Sequence, residues 1–221
     1  MSRGTENTYV NDSEKDMKIL HIDSSILGAS SITRDLTATI IGEIRSGNAN
    51  VEIDYLDLVE YPVGHMDGAV AAGFRPNLTA EFDAAALHEK EISDRLVAQF
   101  LASDVIIIGA PMYNFSVPTQ LKAWLDRIAQ PGKTFKYTET GPIGLAGGKR
   151  VIIASARGGF YLEGPLAQLD FQESYLKAFL GFLGIQDVRF VRAEGASRGE
   201  EIRQKGIASA KAAIAAALAA A

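Results

Sequence analysis

Cysteine is absent from all 221 residues, which excludes disulfides, thiolate metal ligands and thiol nucleophiles together. Histidine is scarce. His21, His65 and His88 are widely spaced and form no His-x-x-x-His pair, so a protein-bound metal is not expected. No apolar run is long enough to span a bilayer. No stretch of five or more lysines and arginines occurs, and the formal net charge of −5 weighs against a nucleic-acid surface. The first sixteen residues lack the apolar segment of a secretory signal. Residues 1–16 are therefore expected to be a disordered polar extension, residues 17–221 a single domain, and the cytoplasm the location. What is present is an ordinary globular balance, 47% hydrophobic and 22% charged, sufficient for one sizeable core.

Short β-branched runs alternate with longer helical patterns, as in parallel βαβ units. Strands are predicted at Lys18–Asp23, Val51–Leu56, Val105–Gly109, Arg150–Ala154 and Asp187–Ala193. Helices are predicted at about 31–46, 79–102, 117–130, 166–183 and 200–219. The third strand is apolar throughout Val105–Ile108, as a central strand covered on both faces should be. In the second helix Ile92, Leu96 and Phe100 recur at helical spacing and mark a core face. Five strands alternating with five helices permit two doubly wound orders, flavodoxin-like 2-1-3-4-5 or half of a Rossmann sheet. Both place ligands beyond the carboxyl ends of the strands.

Four motif readings fail. The loop after the first strand, Ser24-Ser25-Ile26-Leu27-Gly28-Ala29-Ser30-Ser31, has one glycine where a dinucleotide fingerprint needs three. Gly132-Lys133-Thr134 resembles the end of a P-loop, but it follows a helix, and Arg127 stands where the first glycine belongs. Gly195-Ala196-Ser197-Arg198-Gly199 matches a nucleophile elbow, yet no histidine follows it in the chain. A response-regulator site would need a phosphoacceptor Asp after the third strand, where Ala110 and Pro111 stand.

Three loops remain. The first carries Ser24, Ser25, Ser30, Ser31 and Thr33 where a helix begins, a set of hydroxyls and free amides suited to one phosphate. A simple N-cap accounts for one of those serines. The loop after the third strand, Met112-Tyr113-Asn114-Phe115, is apolar and aromatic where a solvated turn is ordinarily polar. It suits the walls of a flavin site, or plain packing against a neighbour. After the fourth strand comes Ala156-Arg157-Gly158-Gly159, whose glycines let backbone approach a planar ligand. Arg157 there either meets negative charge on such a ligand or is solvated in a glycine turn.

Taken together, these loops resemble those of the FMN-dependent NADH azoreductases, also described as NADH:quinone oxidoreductases, of the flavodoxin-like superfamily. The likeness includes Thr119-Gln120-Leu121-Lys122, Thr134-Phe135-Lys136-Tyr137-Thr138-Glu139, Glu163-Gly164-Pro165 and Leu180-Gly181-Phe182-Leu183-Gly184, and covers nearly everything from Met17 onward. It implies a five-stranded parallel sheet of order 2-1-3-4-5 with helices on both faces. It implies bound FMN, NADH as donor, and two-electron transfer to quinones and azo compounds in ping-pong order. By the same resemblance the phosphate site falls on Ser25, Ser31, Ile32 and Thr33. The ring-binding loops fall on Met112, Tyr113, Asn114 and Phe115 and on Ala156, Arg157, Gly158 and Gly159. Tyr137 and Phe182 would lie over the flavin or the acceptor, in a homodimer with each site at the interface. Two departures stand out: Ile32 replaces a commonly polar residue, and Ala156 a serine. Rival readings are a non-enzymatic electron carrier, against which the mild −5 charge counts, and an NADPH-dependent flavin or chromate reductase.

Overall fold

The computed structural model describes residues 16–74 and 84–219. Within them the β-branched runs form strands β1 (Met17–Asp23), β2 (Val51–Asp57), β3 (Val105–Pro111), β6 (Arg150–Ala156) and β7 (Asp187–Ala193). These five pair in parallel in the order β2-β1-β3-β6-β7, which is the 2-1-3-4-5 order of the flavodoxin-like sheet. A hairpin, β4 (Phe135–Thr138) with β5 (Gly141–Gly144), stands apart as a second, antiparallel sheet.

Period-two alternation divides the sheet's side chains between two layers. Leu20, Ile22, Ile106, Ile108, Val151 and Ile153 face one side. There they pack on α3 (Ala84–Ala102) through Leu96 and Phe100, on α4 (Thr119–Ile128) through Trp124 and Leu125, and on α5 (Phe171–Phe182) through Leu176 and Leu180. Ile19, Ile107, Ile152 and Val191 face the other side. They meet Leu36 and Ile40 of α1 (Ile32–Gly47), Ala210 of α6 (Glu200–Ala212), and Ile214 and Ala217 of α7 (Ile214–Leu218). β3 is buried at every residue after the first, so an apolar run without alternation is what it needs. Edge strand β2 alternates Val51 and Ile53 with the exposed Glu52 and Asp54.

Several predicted boundaries move. The helix expected from 166 starts at Phe171, because Asp170 caps it by accepting from the amides of Gln172 (3.1 Å) and Glu173 (3.0 Å), while Ala167–Leu169 form a separate 3-10 turn. The helix expected at 117–130 is shortened by Pro118, which stands just before its first turn. The helix expected at 200–219 is interrupted at Ala213. Of the helix expected at 79–102, residues 79–83 lie outside the described residues, as does the expected extension apart from Asp16. The hairpin and a short helix α2 (Gly68–Gly73) were not predicted. The hairpin's β5 is held against the end of α5, where Gly184 turns the chain with φ +94°. A Cβ on Gly144 would sit 2.1 Å from the Gly184 amide nitrogen, so only glycine allows this approach.

Candidate functional site

The carboxyl ends of β1, β3, β6 and β7 enclose a cavity of about 270 Å³, near the lower end of small-molecule sites (roughly 300–1,000 Å³). One wall is the loop after β1. Ser24 anchors it by donating from Oγ to the Gly109 carbonyl at 2.6 Å. Ser25 is buried with its Oγ 3.4 Å from the Tyr113 hydroxyl, and it accepts from the Leu27 amide at 3.3 Å. Ser31 caps α1, accepting from the Arg34 amide at 3.3 Å, and its Oγ lies 3.1 Å from Thr33 Oγ1. Ile32 and Thr33 then open the helix, where backbone N–H groups have no preceding turn to bond and the dipole is positive. Ser25, Ser30, Ser31, Ile32 and Thr33 all line the cavity.

Arg34 locks this wall from behind. Its guanidinium donates to Asp57 Oδ1 (2.9 Å), to the Ser25 carbonyl (3.1 Å) and to the Tyr55 hydroxyl (3.1 Å). Burial alone would raise the Asp57 carboxyl, but the Arg34 hydrogen bond and the Val59 amide hold it below its ordinary value of 3.8. The Arg34 hydrogen bond to Asp57 correspondingly raises the guanidinium. Partial burial, and then the Asp23 carboxylate, push the Tyr55 phenol up to about 12.

The opposite wall is apolar: Pro111 at the end of β3 with Met112 and Tyr113 from the loop after it, and Ala156 at the end of β6 with Gly158 from its loop. The Met112 amide donates to the Ala156 carbonyl at 2.8 Å, tying the two loops together. Tyr113 and Ser116 exchange backbone hydrogen bonds of 3.0 and 3.1 Å around a two-residue turn. Its central residues, Asn114 (φ 48°) and Phe115 (φ 70°), take the mirror-image conformation for which Asn-Gly is the favoured pair. Phe115 at such a φ is a strained placement.

Of the two readings of Arg157 that the sequence allows, the structure excludes the solvated turn residue: the guanidinium is 0% exposed. It donates to Ser155 Oγ (3.1 Å), pairs with Asp170 (3.0 Å) and with Glu173, and lies 3.5 Å from Glu194. Arg192 meets Glu173 as well, at 2.6 and 2.8 Å. Arg157 thus stitches α5 to the loop after β6, at a position that lines the cavity. Asn114, Phe115 and Gly159 do not line the cavity. A Cβ on Gly159 would meet Tyr161 and Leu166, whereas one on Gly158 would lie 2.9 Å from Ser197 Oγ. Tyr137 and Phe182 also lie outside the cavity lining, packed around Phe135 with ring centroids 5.4 and 4.5 Å away.

Sequence reasoning missed Ala196, Ser197 and Arg203, which close the cavity from the side of β7. Backbone hydrogen bonds explain their position: Ala196 donates to Arg157 (2.9 Å) and Ser197 to Gly158 (3.0 Å). The rejected elbow motif was the available signal. Ser197 is a wall, and no histidine lines the cavity. Among the described residues no group of acidic or histidine side chains could hold a metal, and no helix is long and apolar enough to cross a membrane.

The family model described as "Flavodoxin-like fold" matches residues 17–218. The FMN-dependent NADH:quinone oxidoreductase 2 of Xanthomonas euvesicatoria pv. vesicatoria is 56% identical over 199 residues, covering 90% of this chain and 92% of that protein. The chain belongs to the family of FMN-dependent NADH:quinone oxidoreductases. A second family member, from Ralstonia nicotianae, is 57% identical over 198 residues and spans 90% of this chain and 95% of its own. Among solved structures, the azoreductase of Bacillus anthracis str. Sterne superposes with a TM-score of 0.83 at 26% identity, covering 91% of this chain and 98% of its own. A B. anthracis str. Ames Ancestor FMN-dependent NADH-azoreductase, solved in complex with FMN, gives 0.81 at 27% identity, covering 90% and 98%.

Proposed function

We propose that this family member binds FMN in the cavity and transfers two electrons from NADH to quinones and azo compounds. The observation that carries the proposal is one cavity with hydroxyls and a helix N-terminus on one wall and apolar loop residues on the other. A mononucleotide has this polarity, with an anionic phosphate at one end and a flat ring at the other. Bound FMN supplies the redox chemistry, accepting hydride from NADH and giving electrons to the acceptor. The Ser25, Ser31 and Thr33 hydroxyls, with the Ile32 and Thr33 amides, hold the phosphate. Met112 and Tyr113, with the backbone of Ala156, Arg157 and Gly158, flank the ring, and Asn114, Phe115 and Gly159 set the shape of those loops. One face serves donor and acceptor in turn, which gives ping-pong kinetics.

The second part of the proposal is a homodimer with the site at the interface. Its support is the apolar surface on the loops at this end of the sheet, where Ile26, Leu27, Phe160 and Leu162 are each about half exposed. In that assembly Tyr137 or Phe182 reaches a partner's flavin or acceptor. Initial rates at varied NADH and quinone, with no partner protein added, test the reaction. Parallel double-reciprocal lines are expected. Intersecting lines contradict the ping-pong order, and absence of turnover favours the electron-carrier alternative. Quinones are expected to give higher catalytic efficiency than an azo dye, and the reverse order would mark azo reduction as the main activity.

A further inference from the structure

We propose that Arg203, near the start of α6, is the counter-charge for the phosphate of FMN, an inference that rests on the FMN reading above. Two charged residues line the cavity, Arg157 and Arg203. The Arg157 guanidinium is fully buried and engaged by three carboxylates. Arg203 is half-buried and makes no ion pair with a carboxylate among the described residues. The acids on its own helix are engaged elsewhere: Glu201 pairs with Lys205 and Glu200 accepts from Gln204, each at 2.7 Å.

The position follows from the fold. α1 and α6 lie side by side on one face of the sheet, and both begin at its carboxyl edge. Arg203 therefore shares the cavity with Ser30, Ser31 and Thr33. Ile32, in the middle of that row, contributes an amide and an apolar side chain. Neutral hydroxyls and a helix end, equivalent to roughly half a positive charge, leave a phosphate dianion undercompensated in a partly enclosed site. A guanidinium supplies the missing charge and a planar pair of donors matched to phosphate oxygens. A cation left without an internal carboxylate, in a cavity otherwise lined by neutral side chains and a fully paired arginine, is placed for an anionic ligand.

The test is the affinity of the flavin-stripped full-length chain for FMN and for riboflavin, which lacks the phosphate, by flavin fluorescence quenching. Arg203→Gln should weaken FMN about tenfold, corresponding to about 1.4 kcal/mol, leave riboflavin within about twofold, and flatten the salt dependence of FMN binding. Arg203→Lys should recover most of the FMN affinity. Unchanged FMN affinity in Arg203→Gln overturns the proposal. So does an equal loss for both flavins, which would place the side chain against the ring or ribityl, or report general damage. A wild-type chain that binds riboflavin as tightly as FMN overturns the phosphate assignment. One that binds neither overturns the FMN reading itself, and this proposal with it.

Discussion

Replacing Arg157 with alanine separates a structural arginine from one that serves the ligand. The guanidinium is fully buried and pairs with Asp170 at 3.0 Å and with Glu173, with Glu194 at 3.5 Å. Removing one partner of a buried ion pair leaves charge uncompensated and typically costs about 3–5 kcal/mol. The lower end applies here, because each carboxylate keeps other partners. Glu173 retains Arg192, Asp170 retains two cap amides, and Glu194 retains the amides of Tyr161 (2.6 Å) and Leu162 (3.0 Å). A loss of about 3 kcal/mol in a chain of this size lowers the melting temperature by about 6–12 °C. Thermal and urea unfolding of Arg157→Ala measure it. A variant that melts within about 2 °C of wild type but turns over poorly would refute the structural role and return the guanidinium to the ligand.

Three further outcomes are expected. The Asp57 carboxyl is held below 3.8 in the folded chain, so its contribution is complete above the unfolded value of about 3.9 and is lost as pH falls through the folded one. The stability gap between wild type and Asp57→Asn in urea should thus be full above about pH 5 and narrow below about pH 4, and a gap constant down to about pH 3 contradicts it. Phe115→Gly removes an αL penalty of about 1–2 kcal/mol against a glycine entropy cost of about 0.5–1. Its melting temperature should hold or rise slightly, and a fall of more than about 5 °C would show that packing of the Phe115 ring against Tyr161 outweighs the strain. Gly144→Ala puts a methyl group 2.1 Å from backbone nitrogen and should cost about 3 kcal/mol or more in urea unfolding, with less than about 1 showing that the hairpin yields freely.

The sheet was legible because its strands are long and chemically distinct. Val105–Ile108 can hardly be anything but a central strand, and the βαβ alternation leaves few orders open. The β4–β5 hairpin was not legible. Its strands have four residues each, Phe135 is its one buried side chain, and Gly141-Pro142 suggests a turn. The start of α5 carried an overlooked signal, since Asp170-Phe171-Gln172-Glu173 has capping-box spacing. Asp170 does cap, but Arg157 and Arg192 take the Glu173 carboxylate. Arg157 beside two glycines looked like a solvated loop residue because its partners lie 13, 16 and 37 residues away, on α5 and after β7. Arg203 belongs to no sequence motif, and only the lateral packing of α6 beside α1 brings it to the cavity. Local pattern names the loops. Long-range pairing decides which of their side chains face inward.

The visible absorption spectrum of freshly purified protein, before and after NADH is added without oxygen, reads out bound FMN and its reduction by NADH together. Flavin bands that bleach on NADH are expected. A colourless protein that also fails to take up added FMN would contradict the FMN reading.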